Sequence, residues 1–141
     1  MLKKKVITGA LVFMLASISL MPVGVQAAGN YSDTAYTYIF NNSMRITNLR
    51  PKYDNTSSYM KCVACPDGTS YTAHVVAAKS NASGEPRYDV SNGHTYIFTK
   101  GTSNKMINYA KEWGYSYAGI AAMPNYSYGF NANVLWSPDS I

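Results

Sequence analysis

The chain has 141 residues, with 12 Lys and Arg against 7 Asp and Glu, 2 Cys and 13 Tyr. That length allows one domain and excludes a TIM barrel or a complete dinucleotide-binding enzyme. With 47% hydrophobic and 13% charged residues it is too apolar for a disordered chain, which leaves a small globular domain.

The first segment reads as a signal peptide spanning residues 1–27. Lys3, Lys4 and Lys5 form a positive start, Val6 to Leu20 is uncharged, and Val25-Gln26-Ala27 supplies small residues for cleavage between Ala27 and Ala28. Pro22 and Gly24 follow too short an apolar run for a membrane span. The exported chain, 28–141, is expected to be a single extracellular domain without membrane insertion. Losing the three lysines leaves 9 basic against 7 acidic residues. No two of those basic residues are adjacent, so nucleic-acid binding has no electrostatic footprint.

Turn-forming residues recur at Asn41-Asn42, Arg50-Pro51, Asp54-Asn55, Pro66-Asp67-Gly68, Ser83-Gly84, Asn92-Gly93, Lys100-Gly101 and Pro124-Asn125. Short runs rich in Tyr, Thr, Val, Ile and Phe lie between them. Strands are predicted near 35–40, 43–48, 57–65, 69–78, 94–99, 115–122 and 130–136, an all-β, small antiparallel β-sandwich. One short helix is predicted after Ser103, where Met106, Ile107, Ala110 and Trp113 recur at helical spacing and Gly114 can end it. Ile107, Ala110 and Trp113 would dock on the sheet.

Cys65-Pro66-Asp67-Gly68 predicts a tight hairpin, with Pro66 at the second turn position and Gly68 left-handed. In that register Cys65 lies opposite Thr69, Val63 opposite Tyr71, Lys61 opposite Ala73 and Tyr59 opposite Val75.

Cys62-Val63-Ala64-Cys65 matches the spacing of thiol oxidoreductases and of half a zinc site. A turn stands where the oxidoreductase helix should begin, and His74 and His94 lack finger spacing. An exported chain with two cysteines is expected to pair them. Yet residues three apart on a strand sit roughly 10 Å apart, against about 7 Å for a disulfide, so the Cys62–Cys65 bond requires a kink. Free thiols, a redox pair and a metal site are the alternatives.

Four other strings resemble chemistry. Ser58-Tyr59-Met60-Lys61 has the S-x-x-K spacing of acylating enzymes, but on a strand its ends face opposite ways. Asp89, Ser91, Asn92 and Gly93 resemble part of a calcium loop that lacks its closing Glu. His74 and His94 have no nucleophile elbow to complete a triad. Glu85 and Asp89 form an acid pair with no indicated cleft. No catalytic residue, metal site or cofactor is read from these strings.

Tyrosine exceeds background. Tyr36-x-Tyr38, Tyr115-x-Tyr117 and Tyr126-x-Tyr128 each place two rings on one side of a strand, extended by Phe40 and Phe130. Such rings either fill the core or face solvent as a stacking platform for sugars or protein. Tyr126, Tyr128, Tyr115 and Tyr117 are the candidate binding residues.

Gly114-Tyr115-Ser116-Tyr117-Ala118 and the ending Trp136-Ser137-Pro138-Asp139-Ser140 resemble a family of small secreted Gram-positive (Firmicutes) proteins carrying a domain of unknown function. They distantly resemble lactococcin 972-type bacteriocins. The resemblance implies an exported small β-sandwich with no known catalytic residues to carry over. The expected function is non-enzymatic binding at or outside the bacterial cell envelope, in a bacteriocin-like role. The alternative is a glycan- or peptidoglycan-binding module, with a small thiol-redox or hydrolytic enzyme third. The partner would be a cell-wall glycan or a target-cell envelope component, met by a monomer.

Overall fold

The computed structural model describes residues 29–141, so the signal-peptide reading and the Ala27/Ala28 cleavage lie outside the described residues. The strands are β1 (Thr34–Phe40), β2 (Arg45–Ile46), β3 (Arg50–Pro51), β4 (Ser58–Ala64), β5 (Tyr71–Ala78), β6 (Tyr88–Asp89), β7 (Tyr96–Phe98), β8 (Ser103–Met106), β9 (Tyr117–Pro124) and β10 (Phe130–Ser137). They form two antiparallel sheets. One runs β1-β10-β4-β8; the other runs β2-β9-β5-β6, with β3 also on β9 and β7 also on β5.

Alternation builds the interior. Tyr38 and Phe40, Met60 and Cys62, and Ala132, Val134 and Trp136 turn inward from the first sheet, while Tyr71, Ala73, Val75, Ile120 and Phe98 turn inward from the second, into one shared core. Tyr38 stacks on Phe40 at 5.2 Å and meets Tyr71 across the layers at 5.8 Å. The Tyr38 hydroxyl, which would be costly to bury alone, donates to the Ile120 carbonyl at 2.8 Å.

Two sequence expectations are overturned. The first is the helix: no helix occurs among the described residues, and Ser103–Met106 is the edge strand β8, with Ser103 opposite Lys61 and Met106 opposite Ser58. Of the apolar residues at helical spacing, Met106 and Ala110 are buried, but Ile107 is 41% and Trp113 50% exposed. A single turn remains, in which Trp113 N–H donates to the Tyr109 carbonyl at 2.9 Å and Gly114 closes the segment at φ 85°. One turn fixes several dihedrals for one or two bonds, so the segment gains more by pairing its start along β4.

The second is the hairpin. β4 pairs with β10 and β8, whereas β5 pairs with β9, β6 and β7, so residues 65–70 form an arch between the sheets. Val63 does not face Tyr71, nor Tyr59 face Val75. The turn chemistry is real but shifted by one residue. Thr69 N–H donates to the Pro66 carbonyl at 3.1 Å, which places Pro66 first in the turn, and Gly68 is left-handed at φ 77°. A turn specifies that the chain reverses; the inward residues of β4 and β5 decide that the two strands face each other across the core.

Candidate functional site

The arch marks one pole of the sandwich. Tyr126 and Tyr128 lie beside it, between β9 and β10, with ring centroids 5.3 Å apart and planes at 25°. Phe130 underlies both rings, at 6.5 and 6.3 Å. The Tyr126 hydroxyl donates to the Gly68 carbonyl at 2.8 Å, fixing the inner ring, while the outer ring, Tyr128, is 54% exposed. Asn125 ties the loop to the arch: its N–H donates to the Ser70 carbonyl at 3.1 Å, its side-chain amide to Ser70 Oγ at 2.8 Å, and it accepts from Thr72 Oγ1 at 3.1 Å. The ledge is therefore pre-organised.

In front of Tyr126 lies a depression of about 260 Å³ edged by Asp67, Ser70, Thr99 and Lys100. That is small beside the ~300–1,000 Å³ of a small-molecule pocket and suits a single ring lying on a surface. Lys100 Nζ stands 3.9 Å from Asp67 Oδ1, both exposed, so the contact is weak and both groups are available to a ligand.

The cysteines sit behind the arch as free thiols, Cys62 buried and Cys65 half-buried. The strand is irregular between them. Val134 lies opposite Cys62 and Asn133 opposite Ala64, which leaves Val63 as a β-bulge pushed into solvent. Burial pushes the Cys62 thiol up to about 11; the Tyr71 hydroxyl beside it lowers it and the Cys65 thiol raises it. A redox thiol needs the opposite shift. Burial likewise raises the Tyr71 hydroxyl, and the Cys62 thiol beside it adds to the rise.

The other candidate tyrosines lie at the opposite pole. Tyr117 is half-buried at the start of β9, opposite Ala78 and Pro51, and Tyr115 sits in the preceding turn against Tyr88, at 5.6 Å. Trp113 stacks on Tyr109 at 5.5 Å. The Tyr36-x-Tyr38-x-Phe40 stripe packs inward, with the Tyr36 hydroxyl on the Ile46 carbonyl at 3.1 Å. Ser58 is buried on the Pro138 carbonyl and Lys61 is exposed on the outer face. The Asp89 carboxylate accepts from Ser91 N–H and Oγ at 2.8 and 2.6 Å, a side-chain turn. Burial would raise its pKa, but these bonds outweigh it and hold it below the usual range. Among the described residues no three His, Cys, Asp or Glu side chains cluster as metal ligands.

Sequence reasoning missed a buried polar knot at this second pole. Lys52 Nζ donates to the Thr56 and Pro138 carbonyls and to Asp139 Oδ1, at 2.7, 2.9 and 2.7 Å, and the Lys52 and Asp139 side chains are both 0% exposed. Arg50 lies over the Trp136 ring at 5.2 Å and donates to the Trp136 and Ser32 carbonyls and to Asn30 Oδ1. Two signals were available: Arg50-Pro51, legible only as a turn, and Trp136-Ser137-Pro138-Asp139-Ser140, legible only as a resemblance.

A family model described as a protein of unknown function (DUF2712) matches residues 23–140. This agrees with the expectation of a domain of unknown function. No curated protein and no solved structure matches the chain.

Proposed function

We propose that this chain, which belongs to the DUF2712 family of proteins of unknown function, is an exported, non-catalytic binding protein that holds a glycan of the bacterial cell envelope on the Tyr126–Tyr128 ledge. The observation that carries the reading is the stacked ring pair, one ring anchored to Gly68 and the other open to solvent, beside a ring-sized depression with polar edges. Stacked tyrosines offer large apolar area at low entropy cost to the C–H face of a sugar, and Asp67, Ser70, Thr99 and Lys100 supply partners for its hydroxyls. The positively charged start and apolar run before Ala27 support export. In the exported form Cys62 and Cys65 close across the Val63 bulge and fix the arch that forms the depression.

Co-sedimentation with purified cell wall tests this. The protein is expected to pellet with the wall, and replacing Tyr126 and Tyr128 together by Ala should abolish most of the bound fraction. Undiminished binding by that variant contradicts the proposal. Growth inhibition of related cells is the further outcome that a lactococcin 972-like role requires; wall binding without inhibition leaves the binding role alone.

A further inference from the structure

A buried amine held against a buried carboxyl can do more than form an ion pair. Lys52 Nζ and Asp139 Oδ1 are 2.7 Å apart with no exposed surface on either side chain. The other carboxyl oxygen, Asp139 Oδ2, accepts the backbone N–H groups of Asn30 and Tyr53 at 2.7 and 3.1 Å. Two backbone donors on one carbonyl oxygen is the arrangement that stabilises the oxyanion of an acyl-transfer intermediate. Asp54 joins this knot through Thr56, whose carbonyl accepts from Lys52 Nζ at 2.7 Å. It is held there by Thr56 Oγ1 and N–H at 2.5 and 2.9 Å and by the Tyr31 hydroxyl at 2.8 Å. A nucleophile and a polarised carboxyl therefore meet at one point.

We propose that Lys52 and Asp139 condense into an intramolecular isopeptide bond, Nζ to Cγ. A proton passes from Nζ to Oδ1 along their hydrogen bond, turning ammonium and carboxylate into amine and acid. The Nζ lone pair attacks Cγ, and the π electrons of the Cγ–Oδ2 bond move onto Oδ2, held by Asn30 and Tyr53. A second proton then passes from Nζ to Oδ1, its hydrogen-bond partner at 2.7 Å. The Cγ–Oδ1 bond breaks, water leaves, and the double bond to Oδ2 re-forms. One amide and one water result, with no oxidant or cofactor.

Holding the two groups in place supplies an effective concentration of about 10⁵–10⁸ M, which offsets the poor equilibrium of condensation in water. The product also removes two charges whose burial is costly. The bond joins the residue after β3, in one sheet, to the segment after β10, in the other, and so staples the two sheets together at that pole.

Intact mass of the purified exported protein, denatured and reduced, is the test. The chain is expected to be lighter than its sequence by one water, and fragmentation should yield a branched peptide joining Lys52 to Asp139. Lys52→Arg and Asp139→Ala should each restore the full mass, a readout that holds even if either variant folds poorly. Full sequence mass in the unsubstituted protein overturns the proposal. So does a water loss that persists in Lys52→Arg, because it would then arise elsewhere, as at Asp67-Gly68.

Discussion

Asp139 shows what one carboxyl can organise. Its two oxygens take Lys52, Asn30 and Tyr53, its own carbonyl takes the Ser137 hydroxyl at 2.9 Å, and it is wholly buried. Removing one member of such a set leaves the others desolvated and unpaired, so Asp139→Ala should cost about 3–5 kcal/mol, read as a lowered urea midpoint. Asp54 gives a pH signature. Burial would raise its carboxyl, but the hydrogen bonds it accepts from Thr56 and Tyr31 outweigh this and hold it at about 2, below its ordinary 3.8. The folded state thus binds fewer protons than the unfolded one between those values. The stabilisation is complete above the unfolded pKa and is lost as pH falls through the folded one. Urea midpoints measured from pH 5 downward should decline over that window, and Asp54→Asn should flatten the decline. None of this was legible in the sequence, because a lysine or aspartate in a string carries no mark of burial; the partners lie up to 109 positions apart.

At the scale of elements, strands that alternate along their length were readable. Thr34–Phe40 and Phe130–Ser137 fall within a residue of the expected 35–40 and 130–136, because their inward Tyr, Phe, Ala, Val and Trp positions keep a period of two. Two-residue strands such as Arg50–Pro51 and Tyr88–Asp89 are too short to show any period. The helix expectation failed where Met106 and Ala110 happened to fall four apart in a strand and the loop after it. The difference is measurable: Met106→Ala should cost about 2–5 kcal/mol, whereas Trp113→Ala, on a half-exposed ring, should stay within about 0.5 kcal/mol. A docked helix would make both costly. Gly68→Ala should cost about 1–2 kcal/mol because φ is 77°, and the thermal midpoint reads it.

Across the described residues the ten strands separate two poles about 25 Å apart, roughly the length of β5 at the usual rise per residue. The arch pole carries Tyr126, Tyr128 and the depression; the other carries the Lys52–Asp139 knot and the pairs Tyr88–Tyr115 and Tyr109–Trp113. The sequence singled out tyrosine pairs but could not sort them, since x-Tyr-x-Tyr reads the same in a core strand, a turn or a surface loop. Tertiary pairing did the sorting. Tyr38 went to the core, Tyr115 to a turn, and Tyr126 was pinned by an arch carbonyl 58 positions away.

Titrating the isotopically labelled protein with a soluble cell-wall glycan fragment and following its amide and ring resonances asks which pole the ligand meets. Shifts concentrated at residues 66–70, 99–100 and 126–128, absent in Tyr128→Ala, are the predicted result. Shifts confined to Tyr88, Tyr109, Trp113 and Tyr115, or no shifts at saturating glycan, would contradict the assignment of the site.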